Sequence, residues 1–138
     1  MENYSMNSND FYTALENGTL IGSRCLDCDT LAIPQRQICP KCLGSNTEIV
    51  EYSGKGRLSA FTVVFVPTVQ MAQYGYNAKN PYCVGVVELE EGPSISAQIL
   101  DVDLNQPDNI KIGTNLIMTT VTHGDDGNVK TLLAFKPN

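Results

Sequence analysis

The chain has 138 residues, a net charge of −6, and 42% hydrophobic against 17% charged residues, which excludes a disordered chain and leaves room for one ordinary domain or two small modules. Nine Lys and Arg against fifteen Asp and Glu make a poor footprint for a nucleic-acid backbone, whose affinity rests on clustered cations. No apolar run approaches the ~20 residues that span a bilayer, and Met1-Glu2-Asn3-Tyr4 lacks the start of a secretory leader, so a cytoplasmic protein with reduced thiols is expected.

Residues 1–8 are polar and expected to fray. A short helix follows, with Ser8, Asn9 or Asp10 as its cap, Phe11 and Leu15 four apart on one face, and Gly18 placed to stop it. This apolar stripe is too short to stand alone and must pack on the rest of the chain or on a partner. Leu20 and Ile21 then lead into the first cysteine pair.

Cys25-Leu-Asp-Cys28 is followed, ten residues on, by Cys39-Pro-Lys-Cys42. A two-residue gap lets both thiolates of a pair reach one tetrahedral ion, and the intervening ten residues suit a short hairpin that joins two such knuckles. Reduced thiols favour metal over two disulfides. The spacing predicts a zinc ribbon with one structural Zn2+ held by Cys25, Cys28, Cys39 and Cys42. Rubredoxin iron uses the same ligands, so spacing alone leaves iron open. A site closed by four thiolates has no position for a catalytic water.

Beyond Cys42 the chain turns to β-strand. Glu48–Tyr52 alternates, Ser53-Gly54-Lys55-Gly56 breaks it, and strands read at 57–66, 82–89, 94–100, 115–122 and 129–136. Turn signals at Glu91-Gly92-Pro93, Lys111–Thr114 and Asp125–Asn128 separate them. Five even strands with tight turns suit a small barrel, read as an OB-fold, with a β-sandwich as the alternative. The expected architecture is mainly β: a helical arm over residues 1–22, a four-cysteine zinc ribbon over 23–52, and a five-stranded OB-fold barrel over 53–138. The long interruption from Pro67 to Pro81 carries Met71, Tyr74, Tyr76 and Lys79. It joins the first two barrel strands, a usual ligand edge of OB-folds.

Catalytic apparatus is hard to assemble from these residues. His123 reads as an exposed hairpin residue, since a general base needs a positioned partner. Cys83 falls inside a strand and reads as a core thiol. Gly54-Lys55-Gly56-Arg57 is too short for a phosphate loop, and Asp101, Asp103 and Asp108 read as a solvated loop.

Taken together, Phe11 and Leu15 in a short helix, Gly18-x-Leu20, Ser23-Arg24-Cys25-x-x-Cys28, Ile33-Pro34-Gln35-Arg36, Cys39-Pro40-x-Cys42, Ser45 and Gly54–Leu58 resemble a specific family. These are the acyl-CoA-associated OB-fold proteins with an N-terminal rubredoxin-like zinc ribbon. The resemblance spans nearly the whole chain. One departure is Gln35, where the family commonly has a second proline, and a looser turn is expected there.

The resemblance implies a non-catalytic accessory subunit of a thiolase-type complex, which scaffolds a thiolase-like catalytic subunit and helps receive CoA or an acyl-CoA thioester. CoA calls for cations at its phosphates and for aromatic or apolar contacts along its arm. Lys55, Arg57, Tyr74, Tyr76 and Lys79 are the candidates for those contacts. Phe11 and Leu15 of the helix, with Arg36 of the ribbon, are the candidates for the protein interface. A ribbon-plus-OB protein binding single-stranded nucleic acid is the alternative function, disfavoured by the acidic balance.

Overall fold

A computed structural model describes residues 4–124 and 129–138. The turn expected at 125–128 lies outside the described residues. Helix α1 (Ser8–Glu16) is capped by Asn7, whose side chain accepts the Asn9 N–H at 2.9 Å. Any of four successive polar residues offers a capping oxygen; Asn7 takes the role because its backbone is extended and the following residues are already helical. Gly18 adopts φ +79° just beyond the helix, the left-handed conformation that favours glycine there.

The first sheet is antiparallel, in the order β2 (Leu31–Ala32), β1 (Leu20–Cys25), β3 (Thr47–Tyr52). Strand β1 runs across the expected boundary between arm and ribbon. It gave no alternation signal because five of its six residues are buried, so it carries no polar face to reveal the period of two. Gly22 is needed at its centre: a Cβ there would lie 2.4 Å from the Ala32 carbonyl and 2.7 Å from the Tyr52 ring. That ring closes the sheet by donating from its hydroxyl to the Ala32 carbonyl at 3.1 Å.

The second unit is a closed five-stranded barrel of β4 (Lys55–Val64), β5 (Tyr82–Leu89), β6 (Ser94–Ile99), β7 (Asn115–His123) and β8 (Lys130–Pro137). The order around it is β4-β5-β6-β8-β7, with β7 returning to pair β4. All pairings are antiparallel except β6 with β8, where Gln98 faces Ala134 and Ile99 faces Phe135 in parallel. This is the OB-fold expected from the strand spacing. A bulge between Leu58 and Ala60 bends β4, as closure of a small barrel requires.

The two units share one core. Phe11, Leu15, Leu20, Ile21 and Tyr52 belong to the same buried cluster as Leu58, Val87, Ile99 and Phe135. The apolar stripe of α1 is therefore covered from within the chain. Phe11 and Leu15 are 6% and 1% exposed, which corrects their assignment to a partner interface: buried against their own barrel, they have no surface left to offer.

The stretch from Pro67 to Pro81 is structured. Thr68 caps a short helix α2 (Val69–Gln73), accepting the Met71 N–H at 3.3 Å, and an isolated bridge pairs Asn77 with Asn80. A five-residue helix is too short to print a helical period in sequence. Among the described residues no helix is long and apolar enough to cross a membrane.

Candidate functional site

The two cysteine pairs fold alike. In the first, the Asp29 N–H reaches the Cys25 carbonyl at 2.8 Å and the Cys25 N–H reaches the Thr30 carbonyl at 2.9 Å. In the second, the Leu43 N–H reaches the Cys39 carbonyl at 3.0 Å and the Cys39 N–H reaches the Gly44 carbonyl at 2.8 Å. Asp29 and Leu43, each directly after its pair, both take left-handed φ, 62° and 65°. Two loops of matching form thus present four sulfurs, all within 4.8 Å of one another, with Cys25–Cys42 and Cys28–Cys39 each at 3.6 Å. Four thiolates at about 2.3 Å from a tetrahedral ion sit about 3.8 Å apart, so the donor set and its spacing fit such a metal. The Cys42 and Lys41 N–H groups donate to Cys39 Sγ at 3.5 and 3.4 Å and hold its thiol down to about 6, favouring the thiolate that a metal needs.

The residues nominated for CoA do not converge. Lys55 and Arg57 line a cavity of about 400 Å³ together with Glu88, Glu90 and Asn115. Arg57 is already paired with Glu88 at 3.1 Å, so carboxylates offset the cations there. Tyr74 and Tyr76 lie elsewhere, and Lys79 is exposed on the same excursion. Tyr74 stacks on His123 with ring centroids 4.5 Å apart, while Tyr76 meets His123 edge-on and packs on Tyr82. His123 is therefore half-buried rather than an exposed hairpin residue, because the excursion after β4 folds back onto the end of β7. Desolvation lowers its pKa.

Arg36 is exposed, and its N–H donates to Ser23 Oγ at 3.0 Å. Cys83 is buried in β5, and burial pushes its thiol up to about 11, which makes it a core residue rather than a nucleophile. Asp103 organises its own loop by accepting the Asn105 and Gln106 N–H groups at 3.1 and 3.2 Å.

Sequence reasoning missed a groove of about 610 Å³ across β5 and β6, walled by α1, by Ile33-Pro34 of the ribbon, and by α2. Only the topology reveals it, since residues from distant parts of the chain build it. Its position matches the face that OB-folds use for ligands: the second and third strands, flanked by the loop after the first.

Comparison with known proteins agrees with this geometry. Residues 13–48 match the rubredoxin-like zinc ribbon domain of ChsH2, and residues 49–127 match its C-terminal OB-fold domain. A DUF35 domain-containing scaffold protein of Methanothermobacter thermautotrophicus is 38% identical over 86% of this chain and 86% of its own length. The benzoylsuccinyl-CoA thiolase subunit BbsA of Thauera aromatica is 29% identical over 85% of this chain and 74% of its own. Among solved structures, an Ltp2-ChsH2(DUF35) aldolase covers 99% of this chain and 98% of its own, with a TM-score of 0.75 and 25% identity. The ribbon, the barrel and these matches together place the chain in the DUF35 family of ChsH2-type proteins, a rubredoxin-like zinc ribbon followed by an OB-fold.

Proposed function

We propose that this chain is the non-catalytic scaffold subunit of a thiolase-type acyl-CoA enzyme complex, docking a thiolase-like catalytic subunit and helping to receive the CoA thioester. One Zn2+ held by Cys25, Cys28, Cys39 and Cys42 sets the ribbon and supplies structure, not chemistry. The names of the relatives support the reading: a scaffold protein, a thiolase subunit and an Ltp2-ChsH2(DUF35) aldolase.

The observation that carries it is Leu43. This side chain is 74% exposed and its backbone is held at φ 65°, where a leucine costs about 1–2 kcal/mol that glycine would not. The knuckle sets that φ, as Asp29 shows in the first pair, but it does not call for an exposed apolar side chain, and this supports a use for Leu43 outside its own fold. Leu26 and Ile38 on the same knuckles are also exposed, as are Phe65 and Val66 after β4 and Val69 at the start of α2. With Phe11 and Leu15 buried, the interface belongs to this outer ribbon surface, with Arg36 beside it. CoA is better received near Tyr74, Tyr76 and Lys79 than at Lys55 and Arg57, where Glu88 and Glu90 repel phosphate.

The test is a tagged pull-down from the native organism at moderate salt, with the partner identified by mass spectrometry. A stoichiometric thiolase-like subunit is expected, and the isolated chain should transfer no acyl group. Recovery of the chain alone, or with nucleic acid, would remove this function.

A further inference from the structure

Strand β4 has a free edge. Along one side it pairs β5 from Gly56 to Val64. On the other it pairs β7 only at Lys55–Arg57. The last bonds on that side run from the Leu58 N–H to the Thr114 carbonyl at 3.0 Å and from the Gly113 N–H to the Leu58 carbonyl at 2.7 Å. From Ala60 to Val64, among the described residues, only β5 pairs with the backbone. Alternate N–H and C=O groups of this stretch therefore point away from the sheet without a partner in the chain.

This edge carries no charge, proline or bulge to keep other strands off it. From Leu58 to Ala78 the chain has no Asp, Glu, Lys, Arg or His. The bulge between Leu58 and Ala60 precedes the open stretch, and Pro67 follows it. Phe61 and Val63 pack toward the core, while Ala60 and Thr62 are exposed, as are Phe65 and Val66 directly after the strand. An exposed, uncharged run of β-forming residues with a free edge is a template for another strand.

Charge selects the occupant. The chain carries a net charge of −6, so two copies repel wherever their charged surfaces meet. The edge of β4 is a place where they meet without that repulsion. A partner drawn by basic residues would seat on the carboxylates instead. Antiparallel pairing about a two-fold axis also makes a strand edge complementary to its own copy, because the donors of each face the acceptors of the other.

We propose that two copies of this chain pair through their β4 edges, antiparallel about a two-fold axis within Ala60–Val64, so that the sheets of two barrels become continuous. Thr62 then lies at or beside the axis, with Phe65 and Val66 of each copy flanking the pairing. Leu26, Ile38 and Leu43 sit on the cysteine knuckles and take no part, so the dimer carries the ribbon surface twice. The pairing does not depend on the thiolase reading.

The test is analytical ultracentrifugation of the full zinc-loaded chain, with hydrogen exchange followed at residues 60–64. A species of twice the 15.0 kDa chain mass is expected. The amides of this stretch that already bond β5 should exchange slowly throughout, and the alternate ones should slow only in the dimer. Thr62→Lys and Thr62→Glu each set like charges against one another near the axis from an exposed position. Each should weaken the dimer about tenfold or more while the chain stays folded by circular dichroism. Mixed in equal amounts, the two variants should recover it, because Lys then faces Glu. A dimer that resists both substitutions would place the contact elsewhere, and a monomer at every concentration would overturn the pairing. A monomer whose residues 60–64 gain protection only with the catalytic subunit would give the edge to that subunit and overturn self-pairing.

Discussion

Gln35 donates from Nε2 to the Asn7 carbonyl at 3.0 Å, and Asn7 is the residue that caps α1. The same Nε2 reaches the Ser5 carbonyl at 3.0 Å, and Gln35 is 7% exposed. A turn between the cysteine knuckles is thereby tied to the chain ahead of the helix, across nearly thirty residues. The expectation that a glutamine here would loosen the turn is reversed. A proline would hold its own φ but could donate nothing to the arm.

Substituting Gln35 should therefore release the arm and leave the barrel intact. Gln35→Ala removes a buried donor from two carbonyls and should cost about 1–3 kcal/mol. Gln35→Glu keeps the shape but sets a carboxylate against the same carbonyls, and should cost more. Chemical denaturation gives the ranking, and hydrogen exchange should show faster exchange across residues 8–16 in both variants. Equal stability of all three proteins would mean that the tether contributes nothing.

Removal of the metal should loosen the ribbon before the barrel. Strand β1 ends at Cys25 and β3 begins five residues after Cys42, so both depend on where the knuckles are held. Once the ion is gone, protons replace it on the sulfurs, and nothing holds the four side chains within 4.8 Å of one another. Chelation should lower the unfolding temperature by roughly 10 °C or more, corresponding to about 2 kcal/mol or more at this size. Exchange should quicken first in residues 20–32 and 47–52. One zinc per chain in a colourless protein is expected; a rubredoxin-like visible spectrum would assign iron instead.

The limits of the sequence reading follow from which interactions are local. The knuckles were legible because two residues between cysteines constrain the backbone directly. The barrel strands were legible because β-branched and aromatic runs are bounded by turn residues. Strand β1 was not, since burial on both faces erases the alternation of a half-buried strand. The stripe of α1 was visible, but nothing in Phe11 or Leu15 says whether the chain or a partner covers it. The stacking of Tyr74 on His123 joins residues almost fifty positions apart, through a helix too short to announce itself.

His123 should make stability depend on pH in a defined direction. Desolvation lowers its folded-state pKa below 6.5, so the unfolded chain binds the proton more readily than the folded one. The neutral ring's contribution is full above about pH 6.5 and is lost as pH falls through the lower folded-state value. Tyr74 and Tyr76 face the ring and Lys130 opposes it on β8, so among the described residues these contacts bring no carboxylate to the imidazolium. The unfolding temperature should drop between pH 7 and pH 5.5. His123→Phe keeps the stack and should remove most of that drop; an unchanged pH profile in this variant would assign it to other groups.

Leu43 separates stability from recognition. Replacing it by glycine removes a left-handed leucine but returns backbone freedom to the unfolded chain, so the variant should be as stable as the parent or about 1 kcal/mol more so. The cysteine spacing is untouched, and zinc content should remain one per chain. Binding to the catalytic subunit should fall about tenfold or more if this side chain anchors the interface, since central apolar anchors carry more than 1 kcal/mol each. Leu43→Ala keeps the strain and loses the same contact, so it should weaken binding equally without the gain in stability. A Leu43→Gly protein that folds better and binds its partner as well as the parent would show that the exposed leucine is not the anchor, and would move the interface to Phe65, Val66 and Val69 at the other exposed apolar surface.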